Sequence, residues 1–497
     1  MLPPNYLEEV ESQAIQIYNN LELQIIKEIS ERIANVGYAN TVVKNDVLIA
    51  QQMGMLYTDV VDLVSKYNKT SYESIYKIFE NAGITTIKND DEIYKMAGLN
   101  PINLKQDKGM MDFLIASVNK TNNNLSNLAM TTANTTQVDF VNAMNKAYME
   151  VSTGVKSYSQ AIIDAVNDMC EKGTLVKYPS GHQISLESAV RMNVVTGVNQ
   201  TCGKLQLIRA EELNWDLMEI TAHIGARPEH ADWQGKVVSR SGKKGYLSLK
   251  DIGYGEVTGF KGINCRHDWN PYYEGSTRTY TDEQLKEMQN QEVEYNNKKM
   301  TKYEANQIQR QMEKRIRQDK KELAGMQGIL TSNNDDNKLI EDTKTNFARK
   351  TLFYNSHQKE LKEFTNAINN SIDKSRLYIG TKEKSIKSSM KSVTQIATKY
   401  NNELIGVKTN GIEIKEISEH IISRTYARCL NFEDVQDTLN NPLDYGKIKI
   451  DEKGRKSFNV FGRKVTISIN PDTGKIATAR RTNKRELKKY GIEEWIE

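Results

Sequence analysis

Two short segments gather four side chains that could bind a metal. HIGARPEHADWQGKVVSRSG, residues 223–242, places His223, Arg227, Glu229, His230, Asp232, Trp233 and Gln234 within twelve positions, and GINCRHDWNPYYEG, residues 262–275, adds Cys265 and His267. Zinc takes four His or Cys ligands in a tetrahedron, and Cys265 and His267 at i, i+2 would point to one side of a strand. His223 and His230 would supply the other two ligands of a structural zinc. The spacing, seven residues in the first pair and two in the second, is not that of a standard knuckle. A second reading makes His230, Trp233, Asn264 and Arg266 a hydrogen-bonded polar network that staples a glycine-rich, weakly cored module. A third, metal-assisted hydrolysis, needs Glu229 or Asp232 as a general base beside an open metal position, and no HExxH helix is present.

The other chemistry-bearing stretch lies near the end of the chain. His420, Arg424 and Arg428 are spaced i, i+4 and i+8, so on a helix they drift by only about 40° per step and share a face. From 447 to 489 fourteen Lys and Arg stand against four Asp and Glu, a net of +10, the electrostatic footprint of a phosphate-backbone binder. Cys429, beside Arg428 in an apolar stretch, reads as core. His182 and His357 show no partners and receive no role.

The elements that must position these residues form four regions. Residues 1–172 read as helical, with Gly37 as a C-cap, a capping box at Thr70 and Glu73 opening a helix that ends near Gly83, and an Asn/Thr-rich stretch at 119–140 that reads as a polar connector or poorly packed helix. Residues 173–279 read as an α+β module: two short strands around Pro179 and Gly181, a helix from Leu186, and a strand in NWDLMEITAHIG. Residues 280–403 carry opposite charges at helical offsets with almost no Gly or Pro, which predicts long exposed helices broken at TSNNDDNK. Residues 404–497 predict a helix followed by a four-stranded antiparallel meander. The fold class expected is multidomain, mainly α with α+β modules.

Composition narrows the class further. At 497 residues, two to four domains are expected. A mean hydropathy of -0.63 with 27% charged residues describes a polar chain with exposed helices. No apolar run approaches the roughly 18–20 residues needed to span a bilayer, and the acidic start MLPPNYLEEVESQ does not read as a signal peptide; no membrane partner is expected. Four scattered cysteines, Cys170, Cys202, Cys265 and Cys429, imply no disulfide framework and suit a reducing compartment or a virion assembled in one.

TAHIGARPEHADWQG, YGEVTGFKGINCRHDWNPYYEG and YEANQIQRQMEKRIRQDKKE, preceded by AVRMNVVTGVNQ, resemble the phage minor capsid protein 2 family, related to MuF-like head morphogenesis proteins, over about residues 6–330. The resemblance implies a virion protein inside the capsid at the portal vertex, made in the host cytoplasm, with the portal protein, other head proteins and packaged DNA as partners. MuF-like relatives often carry a Cys/His-rich pattern of the same general kind; here His223 and His230 stand where some show cysteines. SEHIISRTYARCLNFEDVQDTLNNP and the basic meander resemble the barnase/EndoU/colicin/RelE-like nucleases over about residues 412–482. That resemblance implies a toxin-like domain cleaving RNA, host RNA included, without metal by attack of the 2'-OH on the adjacent phosphate. His420 would do the acid/base work, Arg424, Arg428 and Arg463 would hold phosphate, and Thr478 would hydrogen-bond the substrate. The alternative is a purely structural protein whose basic terminal domain binds packaged DNA without cutting it.

Overall fold

The computed structural model describes residues 6–36, 42–172, 174–178, 180–378, 383–452 and 454–492. Helices dominate. α1 (Tyr6–Val36) repeats apolar residues at threes and fours, and Ile15, Tyr18, Ile25, Ile29 and Ile33 are buried along one stripe. α2 (Val42–Met96) packs along α3 (Lys108–Ser152), and α4 (Tyr158–Lys172) closes the layer. A hairpin of β1 (Leu175–Lys177) and β2 (Gln183–Ser185) then feeds α5 (Leu186–Glu212), whose N-terminus is capped by Ser185.

Two expectations for this region are corrected. α2 runs unbroken through Thr70 and Gly83. The Thr70 hydroxyl donates back to the Lys66 carbonyl at 3.2 Å instead of capping a new helix. Gly83 lies inside α2 because a Cβ there would stand 3.0 Å from Leu114 Cδ1 and 3.2 Å from Leu205 Cδ1. The Asn/Thr-rich stretch is not a connector but the middle of α3, with Leu125, Ala129, Thr132, Ala133 and Thr136 buried. Thr131, Thr132 and Thr135 return their hydroxyls to i−4 carbonyls, which removes the polar penalty of placing them in a helix. The C-cap expected at Gly37 lies outside the described residues.

The central module is a small sheet of β3 (Leu217–Ile220), β4 (Val237–Ser239), β5 (Leu247–Ser248) and β6 (Trp269–Pro271) in the order β5-β4-β3-β6. Met218, Ile220, Trp233, Val238, Ile252, Phe260, Cys265 and Trp269 form its core.

Beyond it the long exposed helix or helical pair expected from 280 is interrupted. α6 (Asp282–Gln289) gives way to a hairpin, β7 (Glu292–Tyr295) with β8 (Lys298–Thr301), turning at Asn296 and Asn297, which have φ of 52° and 62°. Asn tolerates the left-handed region that a two-residue hairpin turn demands. α7 (Lys302–Thr331) starts at a capping box of Thr301 and Glu304 and ends at the expected break, after which α8 (Asn337–Ala367) is capped by Asp336. A short α9 (Lys374–Leu377) precedes α10 (Glu383–Leu404).

α7 is not an exposed helix. It packs against α1, α4 and α8. A Cβ on Gly325 would lie 2.5 Å from Cys170 Sγ, so the absence of a side chain there sets the close approach. Its buried charges are matched: Lys321 meets Glu22 at 2.5 Å, and Asp319 meets Lys350 at 3.4 Å and His357 at 2.6 Å, which gives His357 the partner its sequence neighbours do not reveal.

The C-terminal unit differs from a plain four-stranded meander. β9 (Lys408–Thr409) and β10 (Ile412–Glu413) make a small hairpin, followed by β11 (Glu416–Ile417), α11 (Glu419–Arg428) and α12 (Phe432–Asn440). Then come β12 (Asp444–Tyr445), β13 (Lys449–Ile450), β14 (Lys456–Phe461), β15 (Val465–Ile469), β16 (Lys475–Arg481) and α13 (Lys484–Lys489). β14, β15 and β16 form the antiparallel centre; β11 adds to β16 in parallel, and β12 and β13 both pair with β14. The core under this sheet also takes Ala348 from α8 and Val393, Tyr400 and Leu404 from α10.

Candidate metal centre

Strand register brings the two ligand segments together. In the ladder β3 is flanked by β4 and β6, with Glu219 opposite Val237 and Ile220 opposite Trp269. The chain leaving β3 and the chains entering β4 and β6 therefore meet at one end of the sheet. His223 and His230 lie on the first of these, Cys265 and His267 on the last. Residues 265–268 lie outside the ladder with no regular secondary structure, and they present Cys265 and His267 inward while Arg266 lines a neighbouring cavity.

The donor atoms of His230, Cys265 and His267 lie within 4.8 Å of one another, and all three side chains are buried. His230 Nδ1 is 3.3 Å from His267 Nδ1, and Cys265 Sγ is 3.7 Å from the same nitrogen. Bond lengths of about 2.0–2.1 Å to nitrogen and about 2.3 Å to sulfur place tetrahedral zinc ligands roughly 3.3–3.7 Å apart. The fit extends to the protons. His230 Nε2 donates to the Thr258 carbonyl at 2.9 Å. His267 Nε2 lies 3.1 Å from Gln234 Oε1, an oxygen that also accepts the His223 N–H at 3.4 Å. Each Nε2 thus carries a hydrogen, and each Nδ1 turns a lone pair toward the other.

Two facing lone pairs in a buried site repel unless a proton or a metal lies between them or a donor, here the Cys265 thiol 3.7 Å from His267 Nδ1, satisfies one of them. A proton is disfavoured: burial, and after it the neighbouring His223 and His230, hold His267 well below the usual histidine range, and burial also lowers His230. Burial raises the Cys265 thiol, so without metal it is a neutral group. The residues present fit a zinc ion, which would supply positive charge to a site that otherwise disfavours it. His223, half-buried at the edge, packs its ring at a tilt of 30° against that of His267 with centroids 4.4 Å apart, next to the three buried donors. Trp233 packs 4.4 Å from the His230 ring and 4.8 Å from that of His267.

The polar network expected from His230, Trp233, Asn264 and Arg266 takes a different form. Asn264 is exposed and its N–H donates to Thr196 Oγ1, whereas Gln234 and the Thr258 carbonyl serve the histidines. Glu229 and Asp232, the carboxylates a hydrolytic reading would need, are exposed.

Behind the ligands stands a support that the sequence reading missed. Lys261 donates to Asp268 Oδ1 and Asn199 Oδ1, each at 2.7 Å, with the lysine and aspartate side chains both 1% exposed. Asn199 on α5 in turn donates to the Cys265 carbonyl at 2.7 Å, and Gln206 to that of Trp269 at 2.8 Å. α5 therefore grips the backbone on both sides of the ligands. Gly203 leaves the lysine its path, since a Cβ there would meet Lys261 Cε at 2.9 Å.

The five residues expected to form a nuclease site are not gathered in one place. His420, exposed, shares the α11 face with Arg424 and Arg428, and that face turns to α8, where Glu341 takes Arg424 at 3.2 Å and Arg428 at 3.0 Å. Although the His420 side chain is exposed, partial desolvation by its neighbours, and then Arg424, Arg428 and Arg349, lower its proton affinity. Arg463 lies on the β14–β15 turn and lines a cavity of about 250 Å³ with Cys429, Asp434 and Arg481. Cys429 follows the far end of α11, roughly 13 Å along the axis from His420 at 1.5 Å per residue. Thr478 pairs with Ser468, whose neighbours Ile467 and Ile469 are buried, so Thr478 falls on the sheet face opposite the core. Cys429 itself is exposed and left-handed, with φ of 50°, not a core residue: it is the C-cap of α11. Much of the basic charge is paired locally, Arg455 with Asp451, Lys456 with Asp472, Lys475 with Glu416 and Arg480 with Glu486.

Among the described residues no helix is long and apolar enough to cross a membrane. A structural protein of Lactococcus phage LL-H is 27% identical to the chain over 241 residues, covering 46% of this chain and 65% of that relative's length. No solved structure matches. The family model for phage minor capsid protein 2 matches residues 2–366, which takes in the helical body, the metal-ligand segments and nearly all of α8, and leaves the basic C-terminal unit outside. With that match spanning most of its length, the chain belongs to the phage minor capsid protein 2 family.

Proposed function

We propose that this minor capsid protein sits at the portal vertex inside the head, with its central module locked by one structural zinc. The observation that carries the zinc assignment is the pair of Nδ1 lone pairs on His230 and His267, aimed at one point with Cys265 Sγ beside them. The three donors are buried, and Glu229 and Asp232, the carboxylates a hydrolytic site would use, are exposed, which supports a structural rather than a hydrolytic ion. Portal docking draws its support from family membership and from the helical body, whose length suits a ring-shaped partner. Cross-linking of purified heads followed by mass spectrometry tests it: cross-links between residues of α1 to α8 and the portal protein are expected, and cross-links confined to the outer shell would contradict it.

The basic C-terminal unit is assigned to holding nucleic acid through phosphate contacts. A second reading, metal-independent RNA cleavage, is favoured by one observation: His420 has a lowered proton affinity and two arginines on its own helix face. A histidine neutral at pH 7 beside guanidinium groups is equipped to take a proton from a 2'-OH, though Glu341 must first release those groups. Full-length protein incubated with RNA and a chelator separates the two readings. Binding that weakens steeply with salt, with the RNA left intact, is the expected result. Cleavage abolished by His420→Ala would assign the domain to the enzymes instead.

A further inference from the structure

A cavity of about 580 Å³ adjoins the metal centre, walled by α5, α7 and the two ligand-bearing loops. Six arginines and one lysine line it, against two carboxylates, Glu187 and Glu313. α7 contributes Arg310, Lys314 and Arg317 at i, i+4 and i+7, one face of the helix. The carboxylates are engaged: Glu187 takes Arg191 at 2.9 Å and Arg317 at 3.3 Å, and buried Glu313 accepts from Gln309 at 2.9 Å. Arg376 is also taken by Asp373 at 3.3 Å, and positive charge is still in excess among the described residues around this space. The crowding registers on Arg191, whose guanidinium is held below its usual range by burial and then by Arg376 and Arg317.

We propose that this cavity binds an anion carrying several phosphate groups, held by Arg310, Lys314 and Arg317 on α7 and by Arg227 and Arg266 on the loops. Its volume falls within the roughly 300–1,000 Å³ of ordinary ligand sites. The preference for arginine is informative, because a planar guanidinium keeps its charge when partly buried and meets phosphate oxygens through two parallel hydrogen bonds. Part of the array is preorganised: Arg227 donates to the Ile263 carbonyl at 2.5 Å and Arg317 to the Arg376 carbonyl at 2.6 Å, which fixes both side chains. The same chemistry is offered by a free oligophosphate and by the backbone of a nucleic acid strand.

Calorimetric titration of the full-length chain with inorganic tripolyphosphate, together with its competition against a fluorescent single-stranded oligonucleotide, tests the proposal. Wild type binds tripolyphosphate, and Arg310→Gln/Lys314→Gln binds it at least about tenfold more weakly. Both substituted residues are exposed, and the ion pairs of Glu187 remain. Unchanged zinc content in the double variant keeps this result separate from the metal assignment. If tripolyphosphate displaces the oligonucleotide and the variant weakens both, nucleic acid is the source. If only tripolyphosphate binding weakens, the ligand is a free oligophosphate. Failure of wild type to bind tripolyphosphate, equal binding by the two chains, or equally effective competition by polyglutamate would overturn the proposal.

Discussion

Lys261→Met is expected to destabilise the central module by about 3–5 kcal/mol, the usual consequence of stranding one partner of a buried ion pair. Asp268 would remain 1% exposed with its counter-charge gone, and Asn199 would lose the donor that orients it against the Cys265 carbonyl. Asp268→Asn alone strands the lysine in the same way. The double variant Lys261→Met/Asp268→Asn removes both charges, so its loss should fall short of the sum of the single losses by about 1–3 kcal/mol. Urea unfolding followed by tryptophan fluorescence reads this region directly, since Trp233 and Trp269 are in its core and Trp215 packs against it. Strictly additive losses would show that the pair does not act as a unit.

Metal removal is the second large effect. A ligand that binds only the folded state stabilises it by about 4 kcal/mol when present at a thousandfold its Kd. Adding a zinc chelator should therefore lower the unfolding midpoint of the tryptophan signal in wild type. Cys265→Ser and His267→Ala should begin at a lower midpoint and be insensitive to chelator. A wild-type midpoint unmoved by chelator would contradict the ion proposed between the two facing imidazoles.

The candidate ligands were legible because zinc chemistry restricts them to a few residue types: of the four named from the sequence, His230, Cys265 and His267 bring donor atoms within 4.8 Å, while His223 stays at the edge with its ring tilted against that of His267. Their support was not legible. Lys261, Asp268 and Asn199 look like surface residues in the sequence, and only the close passage at Gly203 permits the lysine to be buried. α7 was misread for a related reason: its few apolar residues suggest exposure, while its buried Asp319 and Lys321 find partners far away in the chain and its buried Glu313 accepts from Gln309 one turn back. The β7–β8 hairpin was hidden in a charge run, where the signal was Asn296 and Asn297 between alternating residues. In the C-terminal unit the long strands were readable by alternation, but β11 and β12, two residues each, are too short to show any period. The shared face of His420, Arg424 and Arg428 followed from helical spacing; that Glu341 would pair with its arginines depends on a residue more than eighty positions upstream.

The central claim, that His230, Cys265 and His267 hold a zinc ion that locks this capsid module, is tested most directly by elemental analysis of the purified full-length chain beside His267→Ala. About one zinc per wild-type chain, and well under that in the variant, is the predicted result. Wild-type protein with a zinc content near zero after purification without chelator, or a variant that retains the full complement, would contradict it.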